Sequence, residues 1–223
     1  MRMPRTATDV YVEVGAKRAF AGALAWPGWC RSGGDEAAAL GSLAAYGERY
    51  ARVVGRAAPG FHPPARVGDL HVSERLRGDA GTDFGAPSVA PSDDARPLDG
   101  RGVGRLQTIL DASWDAFERA VDGAAGVELE RGPRGGGRDL DGIVAHVVDA
   151  QGGYLRRIAA PPPPDPTVDE MRDAVRRALD RAVSEGLPPH GPRGGKIFSA
   201  RYFVRRSAWH LLDHAWEIED RHG

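Results

Sequence analysis

Four stretches in the second half of this chain repeat apolar residues at a period of 3.6, each cut from the next by glycine or proline. That pattern predicts four helices, each burying one stripe. The first stretch aligns Val103, Leu106, Leu110, Trp114, Phe117 and Val121 and ends near Gly123. The second runs from about Asp139 to Ile158 and stops before four consecutive prolines, 161 to 164, a stiff extended spacer. The third opens on Thr167 with Glu170 three residues later, the spacing of a capping box, and continues to about Glu185, ahead of Gly186. The fourth spans about Phe198 to Arg221. The expected architecture over residues 101–223 is therefore an all-α, up-down four-helix bundle.

The first half has a different period. Val10, Val12 and Val14 alternate with other residues, Gly15-Ala16 can turn the chain, and Ala19 to Trp26 can return as the second arm of a hairpin before Trp26-Pro27-Gly28-Trp29 breaks it. After Ser32-Gly33-Gly34-Asp35, the run from Glu36 to Val54 is helical in spacing, with Asp35 or Ser32 as its cap. Residues 66–76 fit a further strand. The expected organisation is a small α+β domain over residues 1–80, a linker over 81–100 that is rich in Gly, Pro, Ser and Asp, and the bundle over 101–223.

Composition narrows the function classes. A formal net charge of −1 gives no global field for nucleic acid or an anionic membrane, so neither is expected as a partner. Lysine occurs only at 17 and 196, and Ala, Gly and Pro are abundant, which points to a high-GC bacterial genome. A single cysteine, Cys30, excludes an intramolecular disulfide framework or a cysteine-rich zinc cluster, and no sequence neighbour activates it as a nucleophile. No apolar run approaches the roughly 20 residues that span a bilayer, and Met1 to Asp9 lacks a signal-peptide core, so a cytoplasmic protein is expected.

The chemistry-bearing feature is Trp209-His210-Leu211-Leu212-Asp213-His214. Residues four apart on a helix stand one above the other, so both imidazoles can face a single metal ion. At 100° per residue, Phe203, Val204, Ser207, Leu211, Ala215 and Ile218 fill the adjoining apolar arc, while Arg206, Asp213 and Glu217 lie on the other side, a polar rim suited to an open site. His146 sits midway along the second helix among the small residues Gly142, Ala150 and Gly153, which leaves room for an approaching helix or a substrate. The other histidines, His62, His71, His190 and His222, fall outside these elements. The bland alternative is that all three imidazoles are core-edge residues and that Arg206 and Glu217 are solvated charges.

One His on the second helix and His-x-x-x-His on the fourth resemble the DinB-like superfamily, which includes YfiT-type hydrolases and mycothiol-dependent maleylpyruvate isomerases. The resemblance covers roughly residues 100–223. It implies His146, His210 and His214 as ligands of one divalent cation, zinc or nickel foremost, and a small-molecule substrate, with a low-molecular-weight thiol such as mycothiol or bacillithiol as co-substrate. In that setting Arg206 would pair with a substrate or thiol carboxylate, and Glu217 would act as base or hold an imidazole. Residues 9–55, with two strands, a Trp-Pro-Gly turn, Gly-Gly-Asp-Glu and an Ala-rich helix, resemble the HicB-like antitoxin fold, a likeness of fold alone. Two function classes stay open: a metal-dependent thiol transferase, isomerase or hydrolase, and a non-catalytic metal-binding sensor or interaction module. Self-pairing of the bundle as a homodimer is equally open.

Overall fold

The computed structural model describes residues 7–55, 57–131, 137–191 and 194–222. The opening residues 1–6, including most of the segment inspected for a signal peptide, lie outside the described residues. The fold is α+β, and the chain divides into two compact units, Met1–Arg96 and Pro97–Gly223.

In the first unit, β1 (Thr8–Val14) and β2 (Ala19–Ala23) form the expected antiparallel hairpin, turned where the Gly15 amide donates to the Arg18 carbonyl at 2.9 Å. The short β3 (Cys30–Gly33) pairs antiparallel with β2. The helical run from Glu36 divides at Tyr46 into α1 (Glu36–Ala45) and α2 (Gly47–Val54), with Asp35 as the cap of α1. These helices carry the chain across to β4 (Leu70–Arg77), which lies parallel to β1 and completes the order β3-β2-β1-β4. A parallel partner requires such a crossover. Gly33 lets α1 come down on β3, since a Cβ there would lie 2.3 Å from the Ala39 amide nitrogen. The Trp-Pro-Gly turn is fastened from within: Trp29 Nε1 donates to the Leu43 carbonyl at 2.9 Å, and Tyr50 Oη donates to that of Pro27 at 2.7 Å.

The segment expected to start a linker at residue 81 is instead structured as far as Arg96, the end of the first compact unit. After a capping box on Asp79 it forms α3 (Ala80–Phe84), and a 3-10 turn follows at Ser92–Ala95. Its anchor is Glu13 of β1, fully buried, whose carboxylate accepts from Thr82 Oγ1, the Ser88 amide at 2.9 Å and the Val89 amide at 3.2 Å. The tie is polar and mostly to backbone, so a composition rich in turn formers imitates a linker while being held in place.

In the second unit, α4 (Gly100–Gly123), α5 (Leu140–Arg157), α6 (Val168–Ser184) and α7 (Ala200–Arg221) follow the four apolar stretches. Each begins at a side-chain cap, respectively Asp99, Asp139, Thr167 and Ser199, that accepts the amide three residues on; Thr167 and Glu170 close a capping box. The helices share one core that includes Leu110, Trp114, Phe117, Ile143, Val147, Val175, Leu179, Phe203 and Leu211. Each fully buried side chain of this kind contributes about 1.5–3 kcal/mol relative to exposure. α7 touches all three of its neighbours, which places residues 203–218 against the core. Among the described residues, no helix is long and apolar enough to cross a membrane.

Candidate metal centre

The fold brings the three singled-out histidines together. His146 arrives from α5, and His210 and His214 from successive turns of α7; one nitrogen of each ring lies within 4.8 Å of those of the other two. Ring centroids are 4.6–5.0 Å apart, and Nε2 of His146 stands 3.2 Å from Nε2 of His210. Two nitrogens of a tetrahedral zinc site, with bonds of 2.0–2.1 Å, would be separated by roughly 3.3 Å. All three donors have the right chemistry for a divalent ion, and the His146–His210 pair has the spacing of two nitrogens on one ion. Among the described residues, no carboxylate or thiol joins the cluster as a fourth ligand.

His214 is held by its other nitrogen. Nδ1 lies 2.8 Å from Glu217 Oε2, and since a carboxylate only accepts, Nδ1 is the donor of this bond and Nε2 is the nitrogen that could ligate. The His214 hydrogen bond holds the Glu217 carboxyl below the usual range against the opposing effect of burial, and Arg221 adds to the lowering. Glu217 Oε1 meanwhile accepts from Arg221 at 2.8 Å, so both of its oxygens are engaged. This is the carboxylate–histidine arrangement that orients metal-binding imidazoles.

His210 is the most deeply set of the three, 6% exposed, and burial drives its pKa well below the ordinary value, with His214 and His146 adding repulsion. His146 is lowered too, first by burial and then by the charge of Arg138. Both are thus neutral imidazoles at pH 7, the form that ligates. Among the described residues, His210 Nδ1 is buried without a hydrogen-bond partner, as are Gln151 Oε1 and Ser207 Oγ; Gln151 Nε2 donates to the Ser207 carbonyl at 3.3 Å.

The rim differs from the wheel-based expectation in one respect. Arg206 is 8% exposed: its guanidinium lies 4.7 Å over the Trp209 ring and donates to Tyr154 Oη at 3.0 Å. Burial pushes the Tyr154 hydroxyl up despite Arg206, and the Tyr154 ring meets His210 edge-on at 5.9 Å. Arg206 is therefore neither a solvated charge nor turned outward; it braces Tyr154 beside His210. Asp213 is half-buried and is not among the residues gathered at the cluster. Of the small residues around His146, Gly142 receives the capping carboxylate of Asp139, whose Oδ1 would be 2.7 Å from a Cβ there, whereas Gly153 faces open space.

A cleft of about 700 Å³ runs along α5 and the proline spacer, lined by residues including Val144, Ala145, Val148, Asp149 and Met171, and none of the three imidazoles is in its lining. Sequence reasoning missed Tyr154 and Arg221. The second left a signal, because Glu217 and Arg221 are four apart on one helix in the favourable acid-before-base order. No protein-family model matches the chain, and no curated protein or solved structure is significantly similar to it.

Proposed function

We propose that the second unit is a divalent-metal-binding, up-down four-helix bundle of the DinB-like, YfiT-like kind, in which His146, His210 and His214 hold one zinc or nickel ion for chemistry on a small molecule. The supporting observation is the convergence of three imidazole nitrogens from two helices within 4.8 Å, two of those imidazoles kept neutral by burial. A divalent ion held by three neutral ligands keeps its full charge and an open position, and supplies Lewis acidity toward a water or a thiol. Thiol transfer, isomerisation and hydrolysis are the reaction classes that such acidity serves, with a low-molecular-weight thiol as the co-substrate in the first two. The chain's own contribution is orientation. Glu217 fixes the tautomer of His214, Tyr154 and Arg206 wall His210, and the core arc of α7 excludes water from one side.

A second reading, a non-catalytic metal-binding sensor or interaction module, is favoured by the engagement of Arg206 and both oxygens of Glu217 with internal partners. Metal content of untagged protein, measured by mass spectrometry beside His146→Ala and His210→Ala, tests the site: a single ion per chain is expected, lost in both variants and retained in Arg206→Ala. Absence of an ion even after reconstitution with Zn²⁺ and Ni²⁺ would remove the metal reading. The Co²⁺-substituted protein then separates the two functions. A visible spectrum that shifts on adding azide or a small thiol marks an open, reactive position, and an unmoved spectrum marks a closed one.

A further inference from the structure

Arg221 closes α7 and is 8% exposed, a large cation placed where it must find acceptors. It finds three, one for each nitrogen of its guanidinium. Nε donates to the Glu130 carbonyl at 2.7 Å, one terminal nitrogen to the Arg138 carbonyl at 2.8 Å, and the other to Glu217 Oε1 at 2.8 Å. The Glu130 amide returns a bond to the Arg221 carbonyl at 2.8 Å. Both described ends of the α4–α5 connection are therefore fastened to the residue that holds Glu217. Gly137 makes room for this. Its φ of +140° lies in the glycine-favoured region, and a Cβ there would sit 2.8–3.1 Å from the guanidinium.

An arginine at a helix C-terminus usually serves the carbonyls of its own last turn. Here the fork reaches backbone 83 and 91 residues away in sequence, and among the described residues its one anionic partner is the carboxylate on His214. We propose that Arg221 is a positioning residue for the imidazole triad: by holding Glu217 Oε1 it keeps Oε2 on His214 Nδ1, and it links the α4–α5 connection to the state of His214. The inference rests on the triad being a metal site. Linkage is reciprocal, so an ion that demands the His214 orientation also tightens the Glu130–Arg221 pairing.

The competing account makes Arg221 a bolt for the fold, held by its bonds to the Glu130 and Arg138 carbonyls, with its pair to Glu217 adding little. A double-mutant cycle on Zn²⁺ affinity, read by competition with a chromophoric chelator, separates the two. Arg221→Met and Glu217→Gln are each expected to weaken Zn²⁺ binding about 10–100-fold, the range for outer partners of ligating histidines, and the double variant no more than the weaker-binding single variant. In the unsubstituted protein, exchange of the Glu130 amide slows when Zn²⁺ is added; in Glu217→Gln it does not. Losses that multiply in the double variant, or Arg221→Met binding Zn²⁺ within about twofold of the unsubstituted protein, overturn the proposal. If circular dichroism shows Arg221→Met unfolded, Gly137→Ala crowds the guanidinium without removing its charge; it is expected to weaken Zn²⁺ binding, and an unchanged affinity overturns the proposal equally. Failure of the unsubstituted protein to bind Zn²⁺ refutes the metal reading itself, a different result from equal binding by all variants.

Discussion

Replacing Glu13 tests whether the first unit is held by a buried polar anchor or by apolar packing alone. The carboxylate is fully buried on β1, and three donors converge on it, Thr82 Oγ1, the Ser88 amide and the Val89 amide, while Ser88 Oγ gives its one proton to Asp79. Glu13→Ala leaves two backbone amides and a buried hydroxyl without their acceptor. At about 1–3 kcal/mol for each buried group left unsatisfied, and allowing for relaxation that admits water to some of them, the loss is about 3–5 kcal/mol. Glu13→Gln keeps the oxygen that Ser88 and Thr82 use but can turn an NH₂ toward the Val89 amide, a donor against a donor, for a smaller loss of about 1–3 kcal/mol. Urea denaturation followed by circular dichroism gives the two values. Hydrogen exchange locates them, with the amides of Ser88 and Val89 losing protection first. Glu13→Ala within about 0.5 kcal/mol of the unsubstituted protein, with Ser88 and Val89 still protected, would refute the anchor and return residues 81–89 to the status of a linker.

Two further outcomes follow from the second unit. The metal-free protein is expected to lose stability as pH falls below about 6.5: His210 and His146 have folded pKa values below their unfolded ones, so the unfolded chain takes up protons that the fold refuses, at about 1.4 kcal/mol per pH unit for each full proton. Denaturation midpoints from pH 7.5 down to 5 read that slope, and His210→Leu should flatten it; an equal slope in the variant would contradict the burial account. Arg172 of α6 donates to Glu118 at 2.9 Å and to Asp115 at 2.6 Å on α4, beside Asp111, whose carboxyl is pushed up by burial. Arg172→Ala is expected to cost about 1–2 kcal/mol, since the acids are partly solvated, with the loss smaller in 1 M salt; no change in denaturant midpoint would reduce the network to surface decoration.

What the sequence discloses and what it withholds divides along the range of the interaction. The ends read from the sequence for α4 to α7 lie within about two residues of those observed because each helix carries its own apolar stripe, α4 to α6 a glycine or proline stop and α6 its capping box, all local signals. His210 and His214 were legible for the same reason, as four residues make one turn, and His146 followed once its helix was placed. β3 was not legible, because Cys30-Arg31-Ser32-Gly33 is too short to show alternation, and neither was the parallel pairing of β4 with β1, which depends on a crossover and not on any local pattern. The helical wheel put Arg206 beside the imidazoles but could not show that Trp209 and Tyr154 would cover it, since Tyr154 comes from another helix. Arg221 marks the limit most clearly. Its pairing with Glu217 is written in the four-residue spacing, whereas the carbonyls that satisfy the rest of its fork belong to backbone, which leaves no mark in residue identity except at Gly137, where any side chain would collide with the guanidinium. A glycine ahead of a helix, read at first as a break, is thus the sequence trace of a close approach that helps hold the candidate ligand His214 in register.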